Sequence, residues 1–224
     1  MARPRSARGR ARAVLDRLGV EYPGSAQELC ALVHDNAFQL LTATVLSAQT
    51  TDERVNSVTP ALFARWPTPA DLAAANPAAV EATIHPTGFF RQKTKSIIGL
   101  ARAIHERFDD VVPSRMEDLV TIPGVGRKTA NVVRSVVFGL PGLPVDTHVL
   151  RLSKRLGLTQ LADPVKVEHE LNALVPAGER GALSLRLILH GRRVCVARSP
   201  RCDDCVLNDF CPSSLVSSGA RGPA

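Results

Sequence analysis

The 224-residue sequence has no apolar stretch long enough to span a bilayer, and its first residues hold no long apolar run. On that pattern a soluble, intracellular protein is expected, with no membrane-spanning helix. Convincing strands of alternating apolar and polar residues are missing too, which leaves an all-α reading. Internal repeats and low-complexity linkers are absent. The cysteines are not spread along the chain as in small disulfide-stapled secreted domains, and a chain of this length buries a core without such staples. No acidic residue precedes Asp16, although Arg3, Arg5, Arg8, Arg10 and Arg12 do. That segment reads as a mobile basic arm adding unspecific phosphate contacts.

Four of the five cysteines crowd into one run: Cys195, Cys202, Cys205 and Cys211, spaced C-x6-C-x2-C-x5-C and followed by Pro212. Four thiolates so close in sequence can close around one metal centre. A four-thiolate zinc site and a four-cysteine iron–sulfur cluster both use C-x2-C steps. Zinc sites usually pair two such knuckles, and only Cys202-x2-Cys205 is one here, which suits a larger cluster. Zinc, and four reduced thiols without metal, stay open on spacing alone. Cys30, among Leu29, Ala31 and Leu32, reads as a small buried apolar residue.

The net charge of +7 and pI near 9.6 call for an acidic partner, and nucleic acid is the commonest. Helix starts recur: Asn36, Thr68-Pro69 and Asn76-Pro77, with capping-box spacing at Thr50-x-x-Glu53 and Ser114-x-x-Glu117. The pattern predicts helices over 90–108, 127–138 and 147–156, one started by Pro164, and an apolar run over 182–189. The Ser-, Gly- and Ala-rich stretch 213–224 has too little apolar content to pack and reads as a disordered tail.

Between two of these helices, Pro123 is followed by Gly124-Val125-Gly126 and then Arg127-Lys128. Glycines permit a tight turn, and backbone N–H groups at the following helix start, with its positive dipole end, suit a phosphate. Gly-x-Gly alone is more often a plain turn; with Arg127 and Lys128 in a basic chain it reads as a helix-hairpin-helix DNA contact. Lys128 is the candidate nucleophile, provided a pKa of about 10.4 is lowered enough to free the amine. The alternative is a solvated lysine on a phosphate. Asp146, ahead of Thr147-His148, is a ready N-cap, and its second oxygen is available as a base or charge stabiliser. His148 reads as a packed or hydrogen-bonded histidine.

Four blocks, Leu46-Ser-Ala-Gln-Thr-Thr-Asp52, Ile122-Pro-Gly-Val-Gly-Arg-Lys-Thr-Ala-Asn131, Val145-Asp-Thr-His148 and Leu187-Ile-Leu-His-Gly-Arg192, together with the cysteine run, resemble the endonuclease III family. The match runs from about residue 13 to residue 212 in the family's order. It implies a two-lobed all-α fold: a six-helix barrel over 31–140 carrying the hairpin (about 114–138), and a second lobe of 1–30 plus 141–212 with a [4Fe-4S] loop at 195–211. In that arrangement Lys128 and Asp146 face each other across a cleft.

The resemblance also implies the chemistry of a base-excision-repair glycosylase with lyase activity on abasic sites. An oxidised pyrimidine is flipped from double-stranded DNA. Lys128 attacks C1′ and forms a Schiff base while Asp146 assists its deprotonation and stabilises the sugar cation, and β-elimination cuts the strand 3′ to the site. Gln49 and Phe89 match the two residues that fill the vacated stack. Phe89 stands where leucine is common in relatives, and core packing is its alternative reading. Gly124, Val125, Gly126 and Arg127 match DNA-contacting hairpin positions, and the cluster loop presents Arg198 and Arg201 to phosphates. Arg193 stands where relatives often have Tyr and Ala37 where they often have Pro. The implied protein is a monomer, bacterial and cytoplasmic, at the nucleoid when bound to damaged or abasic DNA and not at a membrane. Two rivals remain at this point. One is a monofunctional mismatch glycosylase of the same fold, whose members usually lack the hairpin lysine and carry a further recognition domain. The other is a non-catalytic zinc-bearing DNA-binding module.

Overall fold

The computed structural model describes residues 4–216, and among them every regular element is helical. The helices are α1 (Ala7–Glu21), α2 (Ala26–Leu29), α3 (Ala37–Leu46), α4 (Asp52–Asn56), α5 (Thr59–Arg65), α6 (Pro69–Ala73), α7 (Pro77–Ile84), α8 (Phe90–Phe108), α9 (Met116–Leu119), α10 (Arg127–Val136), α11 (Thr147–Arg155), α12 (Pro164–Leu174) and α13 (Arg180–Arg193), with two short 3-10 turns. The all-α expectation holds. The chain divides into two compact units, one of Met1–Leu29 with Leu143–Ala224 and one of Cys30–Gly142.

In the Cys30–Gly142 unit, α8 is the central element, packing on α3, α6 and α7. Its Ile97, Leu100, Ala101 and Ile104 recur at helical spacing and are fully buried, each large side chain contributing about 1.5–3 kcal/mol of burial. α8 begins after Phe89 and ends at Asp109, both in the left-handed region, at φ 47° and 49°. Its bounds are those the sequence predicts.

Two predicted capping boxes are displaced. Thr51, not Thr50, caps α4 by accepting from the N–H of Arg54, because the Thr50 hydroxyl is turned toward Thr87 instead. At α9 the cap position is Arg115, without a side-chain cap bond, and Glu117 pairs with the Arg115 guanidinium. Thr68 and Asp71 do form a reciprocal capping box at the start of α6.

In the other unit, α13 packs on α1, α2 and α11, around a core that includes Leu18, Val149, Leu152, Leu171, Leu183, Leu187 and Leu207. The basic arm expected at the N-terminus is corrected here. Ser6 caps α1, and Ala11, Val14, Leu15 and Leu18 bury one helical face. Arg8, Arg10 and Arg12 are therefore helical. Arg10 donates to the carbonyls of Arg5 (2.7 Å) and Gly157 (2.6 Å), and Arg12 pairs with Asp16 one turn on. Arg3 lies outside the described residues. Of the tail expected over 213–224, residues 213–216 carry no helix or strand and the rest lies outside the described residues.

Candidate functional site

The hairpin of the Cys30–Gly142 unit is held by its own backbone: Ile122 N–H donates to Leu119 O, and Val125 N–H to Ile122 O at 3.0 Å. Gly124 takes φ 79°, where a side chain is strained, and a Cβ there would stand 3.4 Å from Ser96. Val125 is buried. Val125, expected among the DNA-contacting hairpin positions, thus commits its N–H and its side chain to the fold. Gly126 is different. It precedes α10 in extended backbone with no side-chain cap bond, and the space around it is open. Gly126 itself thus offers no side chain to the first turn of α10, and helix starts of this kind suit a phosphate. Ala130, Val133 and Val136 anchor the helix in the core, and Lys128 stands exposed on its first turn beside the half-buried Arg127.

Two further loops of this unit meet beside the hairpin. Gln49 and Phe89 both adopt left-handed backbone, φ 55° and 47°, and both line a cavity of about 320 Å³ that Gly124 also lines. Phe89 is 70% exposed, which rules out core packing. Cys30 is half-buried, less than expected, with its thiol toward Leu32 O; burial pushes that thiol up.

In the other unit Asp146 caps α11. Its Oδ1 accepts from the N–H groups of His148 (2.8 Å) and Val149 (2.9 Å), so the cap uses one oxygen and fixes the direction of the other. His148 Nδ1 accepts from Arg151 (3.0 Å), which also donates to the carbonyls of Gly191 and Cys195. Burial pushes His148 down, partly opposed by the Asp146 charge.

The four run cysteines line one apolar cavity with Arg155 and His190. Arg155 donates to Cys195 Sγ (3.2 Å) and to the carbonyls of Val196 (2.8 Å) and Ala197 (2.7 Å). Leu207 N–H reaches Cys205 Sγ at 3.4 Å. His190 is buried and pushed down to about 4 by that burial, hence neutral. Its Nδ1 lies 3.1 Å from Tyr22 Oη and its Nε2 3.3 Å from Cys205 Sγ, so the tautomer with the proton on Nε2 accepts from the tyrosine and donates to the sulfur. Burial pushes the Cys205 thiol up to about 11 and raises Cys211 as well. Buried thiols of this kind ionise when a metal supplies the opposing charge. No group of three or more His, Cys, Asp or Glu among the described residues is arranged for a single ion. N–H donors aimed at sulfur, and thiols around a cavity rather than a point, fit an iron–sulfur cluster.

Residues 42–177 match the HhH-GPD superfamily base excision DNA repair protein family. Endonuclease III of Synechocystis sp. is 53% identical over 197 residues, covering 88% of this chain and 89% of the relative. The chain belongs to the endonuclease III family. Endonuclease III of Bacillus subtilis is 44% identical over 88% of the chain and 89% of the relative. Residues 195–211 match the iron-sulfur binding domain of endonuclease III, so the cysteine run is an iron–sulfur segment. Among solved structures, a non-covalent endonuclease III–DNA complex superposes with TM-score 0.85 at 40% identity, covering 92% of this chain and 95% of that one. A trapped endonuclease III–DNA covalent intermediate gives TM-score 0.85 at 41% identity, over 92% and 96%.

Spacing missed Arg151 and Arg155, which hold the cysteine loop from α11. Their separation of four residues on a helix, ahead of a cysteine run, is a signal available in the sequence. Arg201, expected to face phosphates, donates back to Arg193 O, while Arg198 is exposed and Arg193 lies 5.8 Å over the Tyr22 ring. Among the described residues no helix is long and apolar enough to cross a membrane.

Proposed function

We propose that the chain excises oxidised pyrimidines from duplex DNA and then cleaves the strand 3′ to the abasic site, with Lys128 as nucleophile and Asp146 as its base. The observation that carries this reading is the pair of helix starts. Lys128 is exposed on the first turn of α10, where no side chain caps the helix. Asp146 is fixed by two N–H groups on one oxygen. Lys128 Nζ attacks C1′ of the flipped deoxyribose, the C1′–N bond breaks and the base leaves. The C1′–O4′ bond of this lysine adduct then opens, O4′ taking up a proton, and the resulting imine acidifies the C2′ proton, whose loss expels the 3′ phosphate. Asp146 accepts the lysine proton and stabilises the cationic sugar. Gly126 and the first turn of α10 bind a backbone phosphate, and Gln49 and Phe89 fill the gap left in the stack, an aromatic Phe89 adding about 1–3 kcal/mol of base stacking.

Cys195, Cys202, Cys205 and Cys211 hold the cluster, which we assign as [4Fe-4S] because four thiolates match four iron corners. When bound, it supplies a redox-capable charged anchor for the loop that carries Arg198. No excision step runs through it. The test is a panel of thymine glycol, dihydrouracil, urea and abasic duplexes, each with borohydride. Covalent trapping on all four is expected. Base release without trapping on any of them would leave a monofunctional glycosylase.

A further inference from the structure

Lys93, in the first turn of α8, is 5% exposed, and its two hydrogen bonds go to neutral oxygens. Nζ donates to Thr50 Oγ1 and to Thr87 O, each at 2.8 Å, and the Thr50 hydroxyl itself donates to Thr87 O. Holding an ammonium in a buried site without a carboxylate is costly, and burial lowers the pKa of this one. A methionine would fill the same space without that cost. What the ammonium provides is a three-way tie between segments 43 and 6 residues distant from it in sequence.

Each tied residue adjoins a left-handed one. Thr50 follows Gln49 at φ 55°, and Thr87 precedes Gly88 at φ 67° and Phe89 at φ 47°. Gln49 and Phe89 are non-glycine residues in a region that surrounding structure must enforce. Both line the cavity of about 320 Å³ that Lys93 also lines. The tie therefore sits at the root of both loops and sets the gap between their tips. The misplacement of the predicted cap at α4 has the same origin, since Thr50 is committed to this tie.

We propose that Lys93 is a positioning residue: it locks the Gln49 and Phe89 loops at one separation so that both side chains enter the duplex together and hold the lesion out. This rests on the reading of Gln49 and Phe89 as gap-filling residues. It gives Lys93 no contact with the reacting atoms.

The experiment uses the full chain with its cluster and Lys93→Met. Extrusion is followed by the fluorescence of 2-aminopurine placed opposite dihydrouracil in a duplex. Chemistry without extrusion is followed by borohydride trapping on a single-stranded abasic oligonucleotide, which has no gap to fill. Extrusion should slow by at least about tenfold, with single-strand trapping changed less than about twofold. Equal losses in both assays, or unaltered extrusion, overturn the proposal. If Lys93→Met fails to fold, Thr50→Val removes the central hydroxyl from a half-buried position and must give the same split. Gln49→Ala and Phe89→Ala separate the two ideas. If these slow extrusion and Lys93→Met does not, the tie alone is wrong; if neither slows it, the gap-filling reading fails first.

Discussion

Two helix starts, α10 in one unit and α11 in the other, carry the two candidate catalytic residues and are built in opposite ways. α10 begins at Gly126 with no side-chain cap, in open space. α11 begins with Asp146 satisfying two of its own N–H groups. Every helix leaves four N–H groups unpaired at its start. Left uncapped, they are an anion site; capped by a carboxylate, they orient that carboxylate. On the proposed reading, one backbone feature supplies a binding site in the first unit and a directed charge in the second.

The comparison breaks most visibly at Asp146. Asn caps a helix about as well as Asp, so Asp146→Asn keeps the fold and removes the charge. Single-turnover excision should fall by about 10²-fold with DNA affinity little changed. Collapse of affinity with an intact rate would reduce Asp146 to a cap. Asp146→Ala should add a loss of about 1 kcal/mol of stability, seen as a lower melting temperature.

Smaller effects sharpen the other side. Gly126→Ala meets open space and needs no left-handed backbone, so melting should be unaltered while DNA binding weakens by about 1 kcal/mol, roughly fivefold. Gly124→Ala sits at φ 79° with Ser96 close by and should cost about 1 kcal/mol of stability. Anisotropy and melting read the pair. Unweakened binding by Gly126→Ala would remove the phosphate from the start of α10.

Local signals in the sequence carried the elements well wherever one segment decides its own structure. The bounds of α8 follow from the Ile97-Leu100-Ala101-Ile104 spacing, and the cap of α11 from a single Asp. The cysteine run announced a metal because four thiols in so short a stretch have few other uses. What the sequence hid depends on contacts distant along the chain. Lys93 looks like any polar residue in an amphipathic helix, since nothing nearby shows that Thr50 lies above it. Thr50 and Ser114 had capping-box spacing, yet Thr50 is drawn off by Thr87, and the cap position of α9 falls one residue later, at Arg115, which takes Glu117 as its partner. The arginines before Asp16 looked like a free arm because the apolar face beneath them, Ala11, Val14, Leu15 and Leu18, is modest and depends on its packing against α13.

The most direct measurement is to reduce the protein with borohydride on abasic duplex, digest the adduct, and locate the sugar remnant by tandem mass spectrometry. The account predicts it on Nζ of Lys128, with no adduct formed by Lys128→Ala. A remnant on Lys93, Lys95 or any other amine, or undiminished trapping by Lys128→Ala, would contradict it.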